Sequence, residues 1–417
     1  MNCQARTKSP IDHCVGCTAC LKVCKHNALS MGKDEQGFYV ALKNEQCTSC
    51  GDCTSFCAHR NDVKSFLKRR KKPKTYAAWS KNNALHQTGN SGGLFSTIAL
   101  KWIEEGNVVA APVYNEEFVP QYILANTAEM VEKQAWSKFV QSEVGDIYSQ
   151  IQKVISNGKK VLFVGTPCQV KGLYAYLGED HSALLTVQFP CIGMPVQWFY
   201  QDYLKDLTGK NLSEIREVYG EVLDAETQKR VMKCVTSQGE VICEAAHSSV
   251  YVKAWNTFLT VNDACCRCTD NIAPVCADFT WGNFWYLGSI KPFRVDFEKY
   301  KHGCSMLLCH SEKADSFFSE LYNDIETYER SYTEASSGHT MFQSSAAKHL
   351  LMKKYVNSER RKNFQNQLRY RKYDALKQNF FEKTDAASLN AAAKVNPKVK
   401  GYIWRMLYYV QKVLNRL

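Results

Sequence analysis

The chain has 417 residues, 45% of them hydrophobic and 23% charged, so it is long enough for two or three folded domains and too apolar to be disordered. No run of about eighteen uncharged apolar residues occurs, which argues against a membrane-spanning helix, and the polar start predicts no secretory signal. The expected location is the cytoplasm. The formal charge is +12, but residues 341–417 hold 17 Lys/Arg against 4 Asp/Glu, so the positive charge is concentrated in a C-terminal tail.

The predicted elements begin with a cysteine-rich segment, residues 11–60, and a basic run, Lys64 to Lys74, which we interpret as a solvated linker. From Tyr76 onwards strands alternate with helices, which predicts an α/β (α+β) fold with a largely parallel or mixed sheet. Beyond Gly209 a hairpin is expected around Gln238-Gly239. The predicted helices are Phe95 to Glu105, Val144 to Ile155, Cys168 to Leu177 and Lys313 to Glu329, and the predicted strands are Val108 to Tyr114, Lys160 to Val164, Leu184 to Phe189, Arg230 to Ser237, Glu240 to Ala245 and Ser305 to Cys309.

Eight of the 19 cysteines form two equal groups near the start of the chain, each with the spacing C-x2-C-x2-C-x3-C. This is the bacterial ferredoxin signature for two 4Fe-4S clusters, in which the fourth cysteine of each run ligates the other cluster. Zinc also takes four thiolates, but zinc sites are usually built from CxxC pairs. The predicted ligands are Cys14, Cys17, Cys20 and Cys57 for one cluster, and Cys47, Cys50, Cys53 and Cys24 for the other.

The rest of the chain carries further cysteines at the ends of predicted strands. Cys168 begins a helix directly after Pro167, and a helix N-terminus lowers the pKa of a thiol, so Cys168 is predicted to be a thiolate, either a ligand or a nucleophile. Spacing alone does not join it to Cys191 and to the group Cys265 to Cys268, since a lone cysteine is more often a small buried hydrophobe. Likewise, Asn90 to Gly93 before a helix either presents backbone amides to phosphate or forms only a turn.

The order of these motifs resembles the coenzyme F-420 hydrogenase/dehydrogenase beta-subunit family. The resemblance runs from about Cys14 to about residue 325 and rests on the ferredoxin pair followed by SGGLF, KFVQSEVGD, VGTPCQVKGL, CIGMP, CxxC and AD-x2-WG-x-FW. It implies a two-cluster ferredoxin domain (1–63), a basic linker (64–75), the N-terminal (76–155) and C-terminal (156–330) regions of the family, and a helical basic tail (331–417).

The resemblance also implies cofactors, because members of the family carry FAD and a 4Fe-4S cluster in the body. The implied ligands of this third cluster are Cys168, Cys191, Cys265 and Cys268, with Cys266 and Cys276 as second choices. The implied flavin-binding residues are Ser91, Gly92, Gly93, Lys138, Gln141, Ser142, Thr166 and Gln169. Lys138 either stabilises the reduced flavin or is a surface lysine. Ile192 and the segment Trp281 to Asn283 depart from the family's usual His and Gly-Asp, so the family's deazaflavin is not assumed as substrate.

The predicted function is an iron–sulfur flavin oxidoreductase that passes electrons from reduced ferredoxin, or a similar low-potential donor, to an unidentified small-molecule acceptor. No catalytic residue is assigned. The alternatives are an electron-relay subunit for a partner protein and a redox-inert scaffold. Lys398 to Leu417 has one apolar helical face, which predicts either a peripheral contact with the inner membrane face or docking on a protein surface. No nucleic-acid partner is expected, because no recognition motif accompanies the basic tail.

Overall fold

The computed structural model describes residues 9–224, 229–337, 339 and 356–382. Within them the strands are β1 (Leu29–Lys33), β2 (Tyr39–Lys43), β3 (Lys74–Ser80), β4 (Val108–Tyr114), β5 (Pro120–Ala125), β6 (Val161–Gly165), β7 (Leu184–Gln188), β8 (Ile215–Leu223), β9 (Arg230–Thr236), β10 (Val241–Ala245), β11 (Phe279–Asn283), β12 (Ser305–Cys309) and β13 (Ile325–Glu329). The α-helices are α1 (Asp52–Ser55), α2 (Asn83–Thr88), α3 (Leu94–Glu104), α4 (Ala128–Gln134), α5 (Ile147–Ser156), α6 (Pro167–Leu177), α7 (Gln197–Thr208), α8 (Val250–Asn256), α9 (Asp263–Arg267), α10 (Glu312–Glu320), α11 (Tyr332–Ser337), α12 (Glu359–Leu368) and α13 (Tyr373–Lys377).

The body is organised around an eight-stranded sheet with the order β13-β3-β12-β11-β7-β6-β4-β5. The pairs β4–β6, β6–β7 and β7–β11 are parallel, whereas β3, β5, β12 and β13 pair antiparallel. Successive residues such as Leu162 and Phe163 point to opposite faces, so one joins a core with α3 and the other a core with α5 and α6. The predicted mixed α/β architecture is confirmed.

A second core lies on the antiparallel sheet β10-β9-β8, whose β9–β10 hairpin was expected. Phe199 of α7 and Tyr251 of α8 are buried in this core together with Phe364 of α12. Residues 359–377 therefore pack into the body, although the sequence assigned them to an appended tail. The segment proposed to contact the membrane, residues 398–417, lies outside the described residues.

The cysteine-rich segment folds around the β1–β2 hairpin and docks on the body. The side chain of Gln141 holds the docked segment through two hydrogen bonds to the backbone of Tyr39. Its Oε1 accepts from the Tyr39 amide at 2.8 Å, and its Nε2 donates to the Tyr39 carbonyl at 2.9 Å. Gln141 is buried at this junction, so it acts between the two parts of the chain.

Two sequence predictions are wrong. The helix predicted over Lys313 to Glu329 ends at Glu320, and its second half is strand β13, because residues 325–329 pair with β3. The basic run after residue 63 is not fully solvated. The Arg69 side chain is 2% exposed and forms ion pairs with Asp180 at 2.8 Å and with Asp278 at 3.1 Å. Local charge density gave no indication of these carboxylates, which come from distant segments.

Candidate functional site

The first predicted cysteine set is gathered in the interior of the docked segment. Cys20 and Cys57 are buried together, and Cys14 packs against them. Burial, together with the neighbouring sulfurs of Cys14 and Cys57, raises the pKa of the Cys17 thiol to about 12. Four neighbouring cysteines, of which Cys14, Cys17 and Cys20 have pKa values raised by burial, suit a metal centre, which stabilises the thiolate form.

The second predicted set lies nearer the surface. Cys50 is exposed, and Cys24, Cys47 and Cys53 are partly exposed. The Cys24 sulfur accepts a hydrogen bond from the Ala28 amide at 3.2 Å. The two sets therefore differ in solvent access, with the Cys50 loop on the outside.

Helix α6 brings the first cysteine set against the body. A Cβ atom added to Gly172 would lie 3.0 Å from Cβ and 3.2 Å from Sγ of Cys17, so only glycine allows this close approach. Cys168 stands at the start of the same helix. Tyr148 lies beside both cysteines, and its hydroxyl donates to the Gln169 carbonyl at 2.7 Å. The first set and Cys168 are thus one helix turn apart along α6.

The four cysteines that the resemblance assigned to a third cluster surround one small cavity. They arrive from four places: the start of α6, the loop after β7, helix α9 and the residue following it. Gly193, with φ of 111°, lets the loop of Cys191 approach Cys265, because a Cβ atom there would lie 3.0 Å from Cβ of Cys265. The cysteines lining the cavity are Cys168, Cys191, Cys265 and Cys268.

Hydrogen-bond donors surround these sulfurs. The Gly193 amide lies 3.4 Å from Sγ of Cys191, the Asp270 amide 3.4 Å from Sγ of Cys268, and the Thr166 hydroxyl 3.1 Å from Sγ of Cys168. Donors of this kind stabilise the thiolates of an iron–sulfur centre. The four cysteines, with the hydrogen-bond donors around their sulfurs, therefore fit a 4Fe-4S cluster.

Cys168 is predicted to be a thiolate, either a ligand or a nucleophile, and its surroundings oppose ionisation of the free thiol. Burial raises the pKa of this thiol well above its usual value, and the adjacent cysteines raise it further, which outweighs the hydrogen bond from Thr166. The two second-choice ligands face elsewhere. Cys266 packs with Trp255 and Phe258, and Cys276 is buried in the core under α5 and α6.

A cavity of about 670 Å³ adjoins the cysteine cavity. Its wall combines aromatic and aliphatic side chains with a few polar groups, which is typical of a cofactor site. Six of the eight residues predicted to hold flavin line it: Ser91, Gly93, Lys138, Ser142, Thr166 and Gln169. Gly92 packs beneath the loop against Trp79 and Gly303, and Gln141 lines the smaller cavity while it binds Tyr39.

The Ser91-Gly92-Gly93 loop has a backbone suited to phosphate. Its three residues have φ of 53°, 85° and 72°, a left-handed conformation that favours glycine. Gly93 is the N-cap of α3, and no side chain caps the helix. The first backbone amides of α3 consequently belong to residues that line the cavity. The positive end of the helix dipole lies at the same place, as at many phosphate sites.

Lys138 is half-buried and lines the large cavity, so it is a cavity residue rather than a plain surface lysine. Its ammonium donates to the carbonyls of Gln134, Ala135 and Trp136 at 2.8–3.2 Å, at the end of α4. Burial lowers its pKa to about 7. A cation held here can respond to a change of charge in the cavity.

Two buried polar atoms in the wall lack a partner among the described residues. They are Nε1 of Trp281 and Oε1 of Gln134, and both residues are less than 10% exposed. A donor and an acceptor left unsatisfied beside a cavity indicate a polar ligand, because such groups are otherwise costly to bury. In the sequence, Trp281 stands out only as part of a departure from the family motif, and nothing marks Gln134.

The two cavities share a polar wall centred on Gln169. Its Oε1 accepts from the Thr166 amide at 2.9 Å and from the Tyr122 hydroxyl at 2.8 Å and lies 2.9 Å from the Thr166 hydroxyl oxygen, while its Nε2 donates to Ser142 at 2.7 Å. Ser142, Thr166, Gln169 and Met194 line both cavities.

An ionic cluster that sequence reasoning missed joins the cysteine sets. Asp270 lies 3.3 Å from the ring nitrogen Nδ1 of His59 and 3.3 Å from the ammonium of Lys171. Burial opposes ionisation of Asp270, but the hydrogen bond from His59 and the charge of Lys171 outweigh it and lower the pKa to about 2. His59 therefore contributes a buried-side contact to the body, with a side chain that is 17% exposed.

Comparisons with known proteins identify the family of this chain. Family models described as the coenzyme F420 hydrogenase/dehydrogenase beta subunit match residues 75–148 at its N-terminal part and 158–334 at its C-terminal part, and a 4Fe-4S dicluster domain matches residues 13–61. The chain belongs to the coenzyme F420 hydrogenase/dehydrogenase beta-subunit family. It is an iron–sulfur protein of an oxidoreductase-related family.

Two proteins that are similar to this chain are distant from it in sequence. An uncharacterized protein of Methanocaldococcus jannaschii is 23% identical over 359 residues, which cover 76% of this chain and 89% of that protein. A chain of the F420-reducing NiFe hydrogenase complex from Methanosarcina barkeri is 16% identical and aligns over 75% of this chain and 92% of its own length, with a TM-score of 0.44.

Both departures from the usual motifs of the beta-subunit family lie in the wall of the large cavity. Ile192 follows the cavity cysteine Cys191, and Trp281, Gly282 and Asn283 form the end of β11. These residues therefore shape the space in which a ligand would be held. Among the described residues, none of the helices combines the length and apolar character needed to cross a bilayer.

Proposed function

We propose that the chain is an iron–sulfur flavin oxidoreductase that takes electrons from a low-potential donor such as reduced ferredoxin and delivers them to a small-molecule acceptor. In this proposal it holds three 4Fe-4S clusters and one FAD. A 4Fe-4S cluster supplies single-electron exchange, and a flavin supplies either single-electron or hydride exchange, so the combination links one-electron donors to two-electron chemistry.

The observation that carries the proposal is the shared wall between the cysteine cavity and the large cavity. Ser142, Thr166, Gln169 and Met194 separate the two by the thickness of single side chains. Together with the contact between Cys17 and Gly172, this wall supports a continuous series of sites: the exposed Cys50 loop, the buried set around Cys17, the set around Cys168, and the large cavity.

Each part of the chain has a separate task in this proposal. The twelve cysteines bind the clusters, and the amides at the start of α3 bind a phosphate of the flavin. Trp281 donates its Nε1 hydrogen and Gln134 accepts through Oε1, which orients the ring system. Apolar wall residues such as Leu94 and Phe95 exclude water, and Lys138 keeps a positive charge near the ring.

The donor is proposed to dock at the Cys50 loop, since this is the exposed end of the series. The acceptor is proposed to reach the large cavity near Ile192 and Asn283. The cytoplasmic location and the peripheral membrane contact through residues 398–417 stay proposals from the sequence.

Iron, sulfide and flavin analysis after anaerobic purification tests the proposal. We expect about 12 iron atoms and one flavin per chain in the unchanged protein, and about 8 iron atoms in Cys168→Ser. Cys276→Ser is the matched control, because Cys276 is a buried cysteine outside the cavity, and it should keep all of the iron. About 8 iron atoms and no flavin in the unchanged protein would refute the proposal and favour the electron-relay alternative.

A further inference from the structure

Asp270 occupies the boundary between the docked cysteine segment and the body. Its carboxylate is 4% exposed, and both oxygens have basic partners: Oδ2 lies 3.3 Å from Nδ1 of His59, and Oδ1 lies 3.3 Å from Nζ of Lys171. Lys171 is itself buried, with a side chain that is 10% exposed. This is therefore an interior ionic cluster.

Each member of the cluster is tied through the backbone to a different cysteine. His59 follows Cys57 by two residues, and Asp270 follows Cys268 by two residues. Lys171 stands one turn after Cys168 on α6. The carboxylate thus joins the first cysteine set to two members of the set around the cavity, by side-chain contacts alone.

A stabilising role alone explains this cluster poorly. Burying charges carries a large desolvation penalty, and apolar side chains of similar size often give equal or greater stability. What an ionic cluster provides is a fixed, directional contact at this boundary, in addition to the contacts of Gln141 with Tyr39 and of Gly172 with Cys17.

A metal ion held by the cluster itself is also disfavoured. The ligand atoms of His59, Cys268 and Asp270 do lie within 4.8 Å of one another. However, Cys268 lines the cavity with three other cysteines, and the Lys171 ammonium beside the same carboxylate repels a second cation.

We infer that Asp270 is a positioning residue that fixes the Cys57 segment against the Cys268 loop and so sets the separation of the two cysteine sets. The inference rests on the proposed third cluster. His59 and Lys171 act through Asp270, one from each side of the boundary. No bond is made or broken by the three residues.

The test is a redox titration of anaerobically purified protein followed by electron paramagnetic resonance. Spectral features from magnetic interaction between the body cluster and its neighbour are defined as those missing from Cys168→Ser. In Asp270→Asn we expect the full iron content, loss of these features and a higher midpoint potential of the body cluster, because a nearby negative charge is removed. Asp270→Glu restores the carboxylate and should recover part of the interaction.

Two further variants make the result decisive. Asp315→Asn breaks the contacts of Asp315 with Arg70 and Lys74, far in the sequence from the twelve predicted ligand cysteines, and should behave like the unchanged protein. His59→Ala removes the bridge from the docked side, should keep all of the iron, and should lose the same spectral features. If Asp270→Asn fails to hold the body cluster, the iron content and the spectral features of His59→Ala decide whether the inference holds.

The inference is overturned if Asp270→Asn and His59→Ala hold all of the iron and retain the magnetic interaction. It is also overturned if His59→Ala loses iron, since the bridge would then be needed for assembly. Failure of the proposed function can be told apart from failure of this inference. In the first case the unchanged protein itself would contain too little iron for a third cluster.

Discussion

Replacing Arg69 by methionine should destabilise the protein strongly. The Arg69 guanidinium donates to Asp180 and to the Tyr174 hydroxyl, both at 2.8 Å, and lies 3.1 Å from Asp278, which is fully buried. Methionine preserves length but removes the charge, and Lys313, 3.7 Å from Asp278, then remains as its other cationic contact. Removing one partner of a buried ion pair costs about 3–5 kcal/mol, a large part of the 5–15 kcal/mol that is typical of a domain.

The assay is urea unfolding under anaerobic conditions, followed by far-ultraviolet circular dichroism. Lys74→Met is the control, because Lys74 is an exposed partner of Asp315 and its loss should leave the urea midpoint unchanged. Arg69→Met combined with Asp278→Asn should be less destabilised than the sum of the single variants, since no buried charge is then left unpaired. If Arg69→Met unfolds at the same urea concentration as Lys74→Met, the reasoning about the buried charge is refuted.

Three other predictions concern the sites. Gly172→Val should press on Cys17 and on the Tyr148 hydroxyl, destabilise the protein by about 1–3 kcal/mol and lower its iron content, and unchanged iron would contradict the close approach. Trp281→Phe removes the unpaired donor and should weaken flavin retention by about 2- to 10-fold, measured by equilibrium dialysis, while equal retention would exclude that contact. Burial lowers the pKa of Lys138 to about 7 from 10.5, so between these pH values the unfolded chain binds more protons and the free energy of unfolding rises with pH. In flavin-free protein Lys138→Met should remove this rise between pH 7 and pH 9, and an equal rise in both proteins would count against it.

Four of the eight strands of the central sheet, β4, β6, β7 and β12, were predictable because their sequences are locally unambiguous, whereas β3, β5, β11 and β13 were not predicted. β4 and β12 have the predicted bounds, and the strands around Phe163 and Val187 differ by one residue at their ends, since short apolar runs end at turn residues. β13 was missed because residues 325–329 become a strand only through pairing with β3. Strand β13 is therefore determined by tertiary contact, and its local sequence does not predict it.

The residues of the candidate sites also divide into those that local sequence predicts and those that depend on tertiary contacts. The first eight cysteines follow from spacing, because one tight loop must supply three ligands to one cluster. The four cavity cysteines came from resemblance, and three separate segments bring them together. Gln134 and Asp270 escaped notice because their importance depends on contacts with segments far away in the sequence.

The ion pairs of Arg69 bear on how this chain can be divided. Arg69 falls between the matched regions 13–61 and 75–148, and thus belongs to neither module by sequence. Nevertheless, its side chain neutralises Asp278 inside the region 158–334. An expression boundary at residue 75 would cut through the interior of the body and leave that carboxylate short of positive charge. The joint between the modules is accordingly part of the folded unit, and a shuffled or truncated version must carry Arg69 with it.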